Sequence, residues 1–440
     1  MEDQIIIESA RAIIIGGGIA GKLIAASISP YFDRVEVLEK DAKAKENSVR
    51  RGVSQGHHIH ALLHAGDQVL EKIFPGFKED MEKKGSIKID SLNDFFWFHH
   101  GAWKIRSKSE FSTFLQTRPF LEEYIESRIN NIKNICYSYE TKVLTYIGTV
   151  DKRKVTGVEI LQTGERKTLS ADLIIDASGA ASFSKSWMEK QGQKVNEEKV
   201  EIGLCYATRE FQLPDKKRDF KIKLTYPNPP FEKIGGALSK VEGGKYIATL
   251  IGYINSINQE EVQSEDGFIE YSKKLPLTDI YQELSAGKSL SETRVFNIPN
   301  IVWRRFDRIH MPEGLIIAGD SFCRIDPFFG QGMSIAALQA NEISKNFSKG
   351  NRSTRGLQKK LAKIVKPVWS MVICEDFRYS EVKGKKPFGL AFQQWYVKKL
   401  FKLSATNLSI YKDFVKVMNL TSPITILFKP STIKEILKSK

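Results

Sequence analysis

The sequence predicts an α/β fold: a dinucleotide-binding βαβ unit at the amino end, an inserted mixed β-sheet region, and a helical region toward the carboxyl end. Three observations predict it. Ile13-Ile14-Ile15-Gly16-Gly17-Gly18-Ile19-Ala20-Gly21 runs an apolar strand directly into a G-x-G-x-x-G turn. Leu315-Ile316-Ile317-Ala318-Gly319-Asp320, followed by Pro327 and Gly330-Gln331-Gly332-Met333, reads as a second buried strand, a loop and a helix start. Between them, residues 186–300 lose the βα alternation and read as sheet with helices.

Each helix start offers unpaired N–H groups and the positive end of a dipole, so each is a seat for an anion. In the first turn the glycines allow close backbone approach to a pyrophosphate. Glu39 closes the next apolar strand, Arg34–Glu39, where its carboxylate can accept from ribose hydroxyls. The connecting helix runs Gly21–Ser29 and stops at Pro30.

Residues 41–56 read as a polar loop ending in Arg50-Arg51-Gly52-Val53-Ser54-Gln55-Gly56. A helix is expected to open at His57-His58-Ile59-His60-Ala61-Leu62-Leu63-His64 and reach Ile73. His60 and His64 stand four apart, but two histidines without a third ligand do not make a metal site. Residues 86–109 turn β-like and aromatic; Asp94 to Trp103 lines a pocket or fills a sheet core. Gln116-Thr117-Arg118-Pro119 opens a helix through Ile129, and Arg118 is suited to phosphate, with a solvated arginine as the alternative. Short strands then lead to the buried strand that stops at Asp176-Ala177-Ser178-Gly179. Residues 350–440 are lysine-rich with helical period, and their aromatics pack on the cofactor domain, close over a greasy pocket, or lie on a membrane.

Composition bounds the function. At 440 residues, 41 % hydrophobic and 27 % charged, the chain has room for two or three domains and the balance of a globular protein. Four scattered cysteines, Cys136, Cys205, Cys323 and Cys374, indicate neither a disulfide framework nor a zinc ribbon. With no signal-peptide pattern and no run of eighteen apolar residues, a cytoplasmic location is expected. The net charge of +15 favours anionic partners, but no nucleic-acid motif accompanies it. Gly16 to Lys22 also spells G-x-x-x-x-G-K, yet Leu23 stands where a P-loop needs Ser or Thr for magnesium. No G-x-S-x-G elbow is found either.

Together, the amino-terminal fingerprint and Gly319-Asp320…Pro327…Gly330…Gly332 resemble the FAD-dependent monooxygenases related to aromatic hydroxylases. The segment Arg51 to Leu63 is similar to that of a narrower group of bacterial epoxidase-like FAD oxidoreductases, which includes polyether alkene epoxidases. The resemblance implies a Rossmann-like FAD-binding domain at 1–85, 110–185 and 301–349. Substrate-domain strands fall at 86–109, the substrate domain at 186–300 and a helical region at 350–440. It implies FAD contacts from Gly16, Gly18, Ile19, Ala20, Gly21, Glu39, Arg51, Arg118, Gly179, Asp320, Pro327, Gly330, Gln331, Gly332 and Met333, with Asp320 on a ribityl hydroxyl. No catalytic side chain is implied. Reduced FAD in that family captures O2 as a C4a-hydroperoxide and passes one oxygen to an apolar substrate, by hydroxylation or epoxidation. Ser178 stands where aromatic hydroxylases carry an acid, and Lys185 is the nearest basic residue, which leaves the electron donor open: NAD(P)H directly, or through a flavin reductase. The rival readings are an FAD-dependent reductase or dehydrogenase of a prenyl or lipid-like substrate, a flavin halogenase, for which the W-x-W-x-I-P motif is missing, and a non-catalytic flavoprotein. A peripheral membrane contact is a further expectation.

Overall fold

Continuous apolar runs at three distant points of the chain build one parallel sheet. The computed structural model describes residues 10–43, 54–60 and 62–439. Its five parallel strands lie in the order Leu315–Ile317, Leu173–Asp176, Arg11–Ile15, Arg34–Leu38 and Ile135–Ser138. Ile13, Ile14, Ile174, Ile175 and Ile317 are fully buried. Such strands read as unbroken aliphatic runs because both faces of the sheet are covered. The helices Ile19–Ile28 and Gly332–Phe347 pack on each other beside it, and the antiparallel strands Thr141–Gly148, Val155–Gln162 and Glu165–Ser170 lie against Leu173–Asp176.

A second, ten-stranded sheet grows from the long strand Glu197–Gln212. Here alternation governs: Leu204 and Tyr206 enter the main core, whereas Cys205 and Ala207 enter a second core closed by the helices Glu265–Tyr271 and Asp279–Ser285. Phe95–His99 joins this sheet in parallel register with Ile222–Thr225, so the early aromatic stretch becomes sheet wall, with Trp97 in the main core and Phe96 against the second. The helices Leu357–Asp376, Leu390–Leu403, Leu408–Met418 and Pro430–Lys438 follow, and Phe401, Tyr411 and Phe414 are buried in the main core.

Two local expectations are corrected. The helix after the polar loop starts at His64, not His57. Its would-be first turn is held elsewhere, because Leu63 N donates to Ser334 Oγ (2.9 Å) and His64 N to Asn419 Oδ1 (3.1 Å). His60 therefore does not share a helix face with His64. The carboxyl-terminal region is not wholly helical, since Lys383–Gly384 pairs with Glu197–Gln212. Among the described residues, no helix is long and apolar enough to cross a membrane.

Candidate functional site

Strand order decides where the two glycine turns meet. Arg11–Ile15 and Leu315–Ile317 are parallel and separated only by Leu173–Asp176, which sets their carboxyl ends about 10 Å apart. Gly16 has φ +100, and a Cβ there would lie 2.6 Å from Ala177 O, so the close approach of the two strand ends requires glycine. A Cβ on Gly21 would fall 1.9 Å from Gly16 O. Across the gap, a Cβ on Gly319 (φ +58) would stand 3.0 Å from Ala20 Cβ. Two turns three hundred residues apart in sequence are thus in contact.

Polar bonds lock the three strand ends together. Gly319 N donates to Gln339 Oε1 (2.8 Å), Gly179 N donates to Ser321 Oγ (2.9 Å), and Ser321 Oγ donates to Asp176 Oδ1 (3.0 Å). Asp176, fully buried, also accepts from Ser178 Oγ (2.6 Å), Tyr146 OH (3.0 Å) and Ser184 Oγ. Arg304 donates to the carbonyls of Asp320, Ser321 and Ala180, which fixes the loop that carries Asp320.

Both helix starts remain available to an anion. The first ladder begins with Lys22 N to Gly18 O (2.9 Å), leaving the amides of Ile19, Ala20 and Gly21 outside it. The second begins with Ile335 N to Gln331 O (2.9 Å), after Gly330 in the left-handed region (φ +67) closes the short Pro327–Phe329 turn. At Gly332 nothing lies within 4 Å of an added Cβ, and Gln331 Oε1 is buried with no hydrogen-bond partner among the described residues. Met333 is buried on the first turn of that helix.

The charged residues expected at the site fall as follows. Glu39 is buried and accepts from Gly17 N (2.8 Å) and Asp41 N (3.1 Å), across the first turn. Arg118, first residue of the helix Arg118–Ile129, is oriented by Glu122 Oε1 (2.7 Å) and His60 Nε2 (3.2 Å). Asp320 is open to solvent, yet burial by the surrounding protein raises its carboxyl pKa against the pull of Arg324, Arg118 and Arg304. Arg118 lies within electrostatic range of Asp320. Arg51 lies outside the described residues. Lys22, the P-loop lookalike, is spent on Glu126 Oε2 (2.9 Å), and Lys185 is paired with Glu197 Oε2 (2.6 Å).

The loop histidines are neutral spacers between the halves. His58 Nδ1 bonds Thr208 Oγ1 (2.7 Å) and His60 Nδ1 bonds His58 O (2.7 Å). Burial pushes both imidazoles down to about 3, with Arg118 adding to the effect on His60.

Sequence reasoning missed a buried polar network where the large sheet meets the carboxyl-terminal helices. Tyr226 packs tilted against Phe328 (4.0 Å between ring centres) and donates to Phe328 O (3.0 Å), coupling the sheet to the loop ahead of Gly330. Asp326 accepts from Tyr253 OH (2.7 Å) and Phe328 N (2.8 Å), and Asp376 lies against it. Burial first, and for Asp376 the neighbouring carboxylate second, raise both pKa values, which favours the neutral carboxyl form. Beside it Trp97, His99, His100, Phe401 and Phe414 form an aromatic box, in which His99 sits 4.2 Å from Phe401 and Phe401 5.1 Å from Phe414. His100 Nε2 donates to Glu375 Oε2 (3.1 Å). Potential ligand atoms of His99, His100 and Glu375 lie within 4.8 Å of one another. Arg378, however, bonds both Glu375 oxygens at 2.8 Å, and the Lys104 ammonium is anchored on Phe401 O (2.6 Å). A cation would enter beside two others and lose its only carboxylate to Arg378, so the cluster is read as a charge-balanced scaffold.

No protein-family model matches the chain. In sequence it is 24 % identical over 411 residues to Protein Rv3254 of Mycobacterium tuberculosis, covering 88 % of this chain and 85 % of that protein. It is 23 % identical over 357 residues to kynurenine 3-monooxygenase of Dictyostelium discoideum, covering 76 % and 69 %. In structure it is similar to the flavin-dependent brominase Bmp2, with a TM-score of 0.69 at 12 % identity over 97 % of this chain and 99 % of that one. The p-nitrophenol 4-monooxygenase PnpA from Pseudomonas putida gives 0.67 at 14 % identity over 94 % and 99 %. The fold is that of flavin-dependent monooxygenases and halogenases. Its neighbours span both chemistries and do not single out the epoxidase-like group.

Proposed function

We propose that this chain is an FAD-dependent monooxygenase that hydroxylates or epoxidises an apolar small molecule with O2. The contact of Gly319 with Ala20 carries the reading, because it sets side by side two helix starts that would otherwise hold separate anions, within reach of one dinucleotide. The residues present fit FAD: a glycine cradle around Gly16 to Gly21, open space at Gly332, an unpartnered Gln331 Oε1, and an acid at each end in Glu39 and Asp320.

Bound FAD would supply the redox equivalents and the activation of O2. The chain's residues do the rest. Amides of Ile19, Ala20 and Gly21 would hold the pyrophosphate, Glu39 the adenosine ribose, and Arg118 the phosphates. Gly179, Asp320 and Pro327 would line the ribityl side, with Asp320 accepting from a hydroxyl. Gly330, Gln331, Gly332 and Met333 would offer a positive helix end to the flavin ring, offsetting negative charge there. Arg51 is proposed as a further contact from the preceding loop. The aromatic box would exclude water, and Asp326, two residues ahead of Phe328 and with its pKa raised by burial, would favour its neutral form there. NAD(P)H, directly or through a flavin reductase, is the electron source of this reading.

The test is O2 uptake driven by NAD(P)H, with or without an added reductase, and an oxygenated product formed without halide. Turnover under anaerobic conditions would replace this reading by a reductase. A product formed only with chloride or bromide would replace it by a halogenase, the alternative favoured by the likeness to Bmp2.

A further inference from the structure

Large apolar side chains are exposed in one place above all others. Ten exposed large hydrophobics occur among the described residues, and six of them, Phe388, Phe392, Trp395, Phe428, Ile433 and Leu437, belong to the last four dozen or so. Phe388 is fully exposed, Leu437 is 71 % exposed and Phe392 is 62 % exposed. Three of them, Phe392, Trp395 and Phe428, are joined through Tyr396. On the helix Leu390–Leu403, Phe392 lies 5.7 Å from Trp395 and 6.2 Å from Tyr396, and Tyr396 stacks on Phe428 at 4.7 Å. Lys399 Nζ donates to Ser439 O (2.6 Å), which lays Pro430–Lys438 alongside with Ile433 and Leu437 one turn apart and outward. The adjoining faces are the ones that pack: Tyr396, Leu400 and Phe401 from the first helix, Thr432 and Ile436 from the last.

Charge identifies what covers this surface. Residues 382–440 carry twelve lysines and only two acids, Asp413 and Glu435, a balance of +10 out of the +15 of the whole chain. Lys385, Lys386, Lys398, Lys402, Lys434 and Lys438 are exposed on the same segments as the aromatic tips. Aromatic and aliphatic tips rimmed by lysine match an anionic bilayer: the apolar side chains enter the acyl boundary and the ammonium groups remain among the headgroups. A second copy of this chain would bring the same lysines against each other, which like-charge repulsion opposes.

We propose that the face formed by Leu390–Leu403 and Pro430–Lys438 docks on anionic membrane lipid. The inner side of the same helix carries Phe401 into the aromatic box, so a membrane-dissolved apolar substrate would meet the enzyme next to its site; this last step rests on the function proposed above.

Co-sedimentation of the FAD-loaded protein with phosphatidylcholine vesicles, with and without phosphatidylglycerol, tests the docking. Partitioning is expected to be at least about tenfold stronger on the anionic vesicles and to weaken with salt, each lysine near the surface contributing about fivefold. Lys385→Glu/Lys386→Glu and Phe392→Asp/Trp395→Asp, all at exposed positions, should each lower it about tenfold or more while the flavin spectrum and melting temperature stay unchanged. Equal partitioning on both vesicle types, none on either, or a salt-independent dimer abolished by the Phe392→Asp/Trp395→Asp variant would overturn the proposal. Vesicle binding without O2 uptake would leave the docking standing and remove the monooxygenase reading.

Discussion

The two halves of the site are built from different materials. Around Gly16, Gly21 and Gly319 the walls are backbone: added Cβ atoms would meet Gly16 O, Ala177 O and Ala20 Cβ at 1.9 to 3.0 Å, so missing side chains define the shape. Around Phe328 the walls are side chains from four remote segments, represented by Trp97, Tyr226, Glu375 and Phe401. A backbone-built half tolerates almost no substitution at its glycines and little variation in its ligand. A side-chain-built half can be re-lined without moving the sheet, and in the proposed function that is where a change of substrate would be accommodated.

Substitutions can break that contrast. The largest effect is expected for Gly21→Val, which puts carbon on Gly16 O; the chain should lose both soluble expression and flavin, read by yield and absorbance. Asp67→Asn comes next, and it probes an exception within the backbone-built half. Asp67 is wholly buried on His64–Ile73, its carboxyl oxygens have no hydrogen-bond partner among the described residues, and burial raises its pKa from 3.8 to about 8. Thr113 Oγ1 beside it is committed to Leu62 O (2.6 Å). The folded state then binds more protons than the unfolded one between those two values, so wild-type stability falls as pH rises through that window, by at most about 1.4 kcal/mol per unit. Asp67→Asn should flatten the profile and melt higher than wild type at pH 8, the gap shrinking as pH falls; parallel melting curves would show the carboxyl ionised in the fold.

Smaller effects sharpen the contrast. Asp320→Ala should weaken FAD binding about a hundredfold, as expected for a lost hydrogen bond to a charged group, while the apoprotein melts no lower. Retained affinity would mean that Asp320 faces away from the cofactor. Tyr226→Phe, which removes only the bond to Phe328 O, should cost about 1 kcal/mol in a denaturation curve and leave flavin content intact.

The same contrast explains what could be read in advance. G-x-G-x-x-G and Gly319-Asp320 encode local sterics, so both turns, the parallel sheet around them and the Thr117-capped helix carrying Arg118 were legible. The network at Asp326, Asp376 and Glu375 was not, because its partners are 73 residues apart for Tyr253–Asp326 and 275 for His100–Glu375. One trace existed: Glu375-Asp376 follows Val372-Ile373-Cys374 in an apolar helical register, and buried charge in such a register signals a polar cluster. The helix start misread at His57 failed for a related reason. Its period is helical, but Ser334 and Asn419, far along the chain, capture the amides of Leu63 and His64.

The seam between Ala20 and Gly319 also sets an order of events during synthesis. Leu315–Ile317 is the edge strand of the parallel sheet, and Gln339 on the following helix secures Gly319. A ribosome-bound chain shorter than about three quarters of the sequence therefore owns one jaw of the clasp without the other. In the proposed function, high-affinity FAD uptake would therefore wait until about the last quarter is being made, and a protease cut between the two jaws of the apoprotein would weaken it.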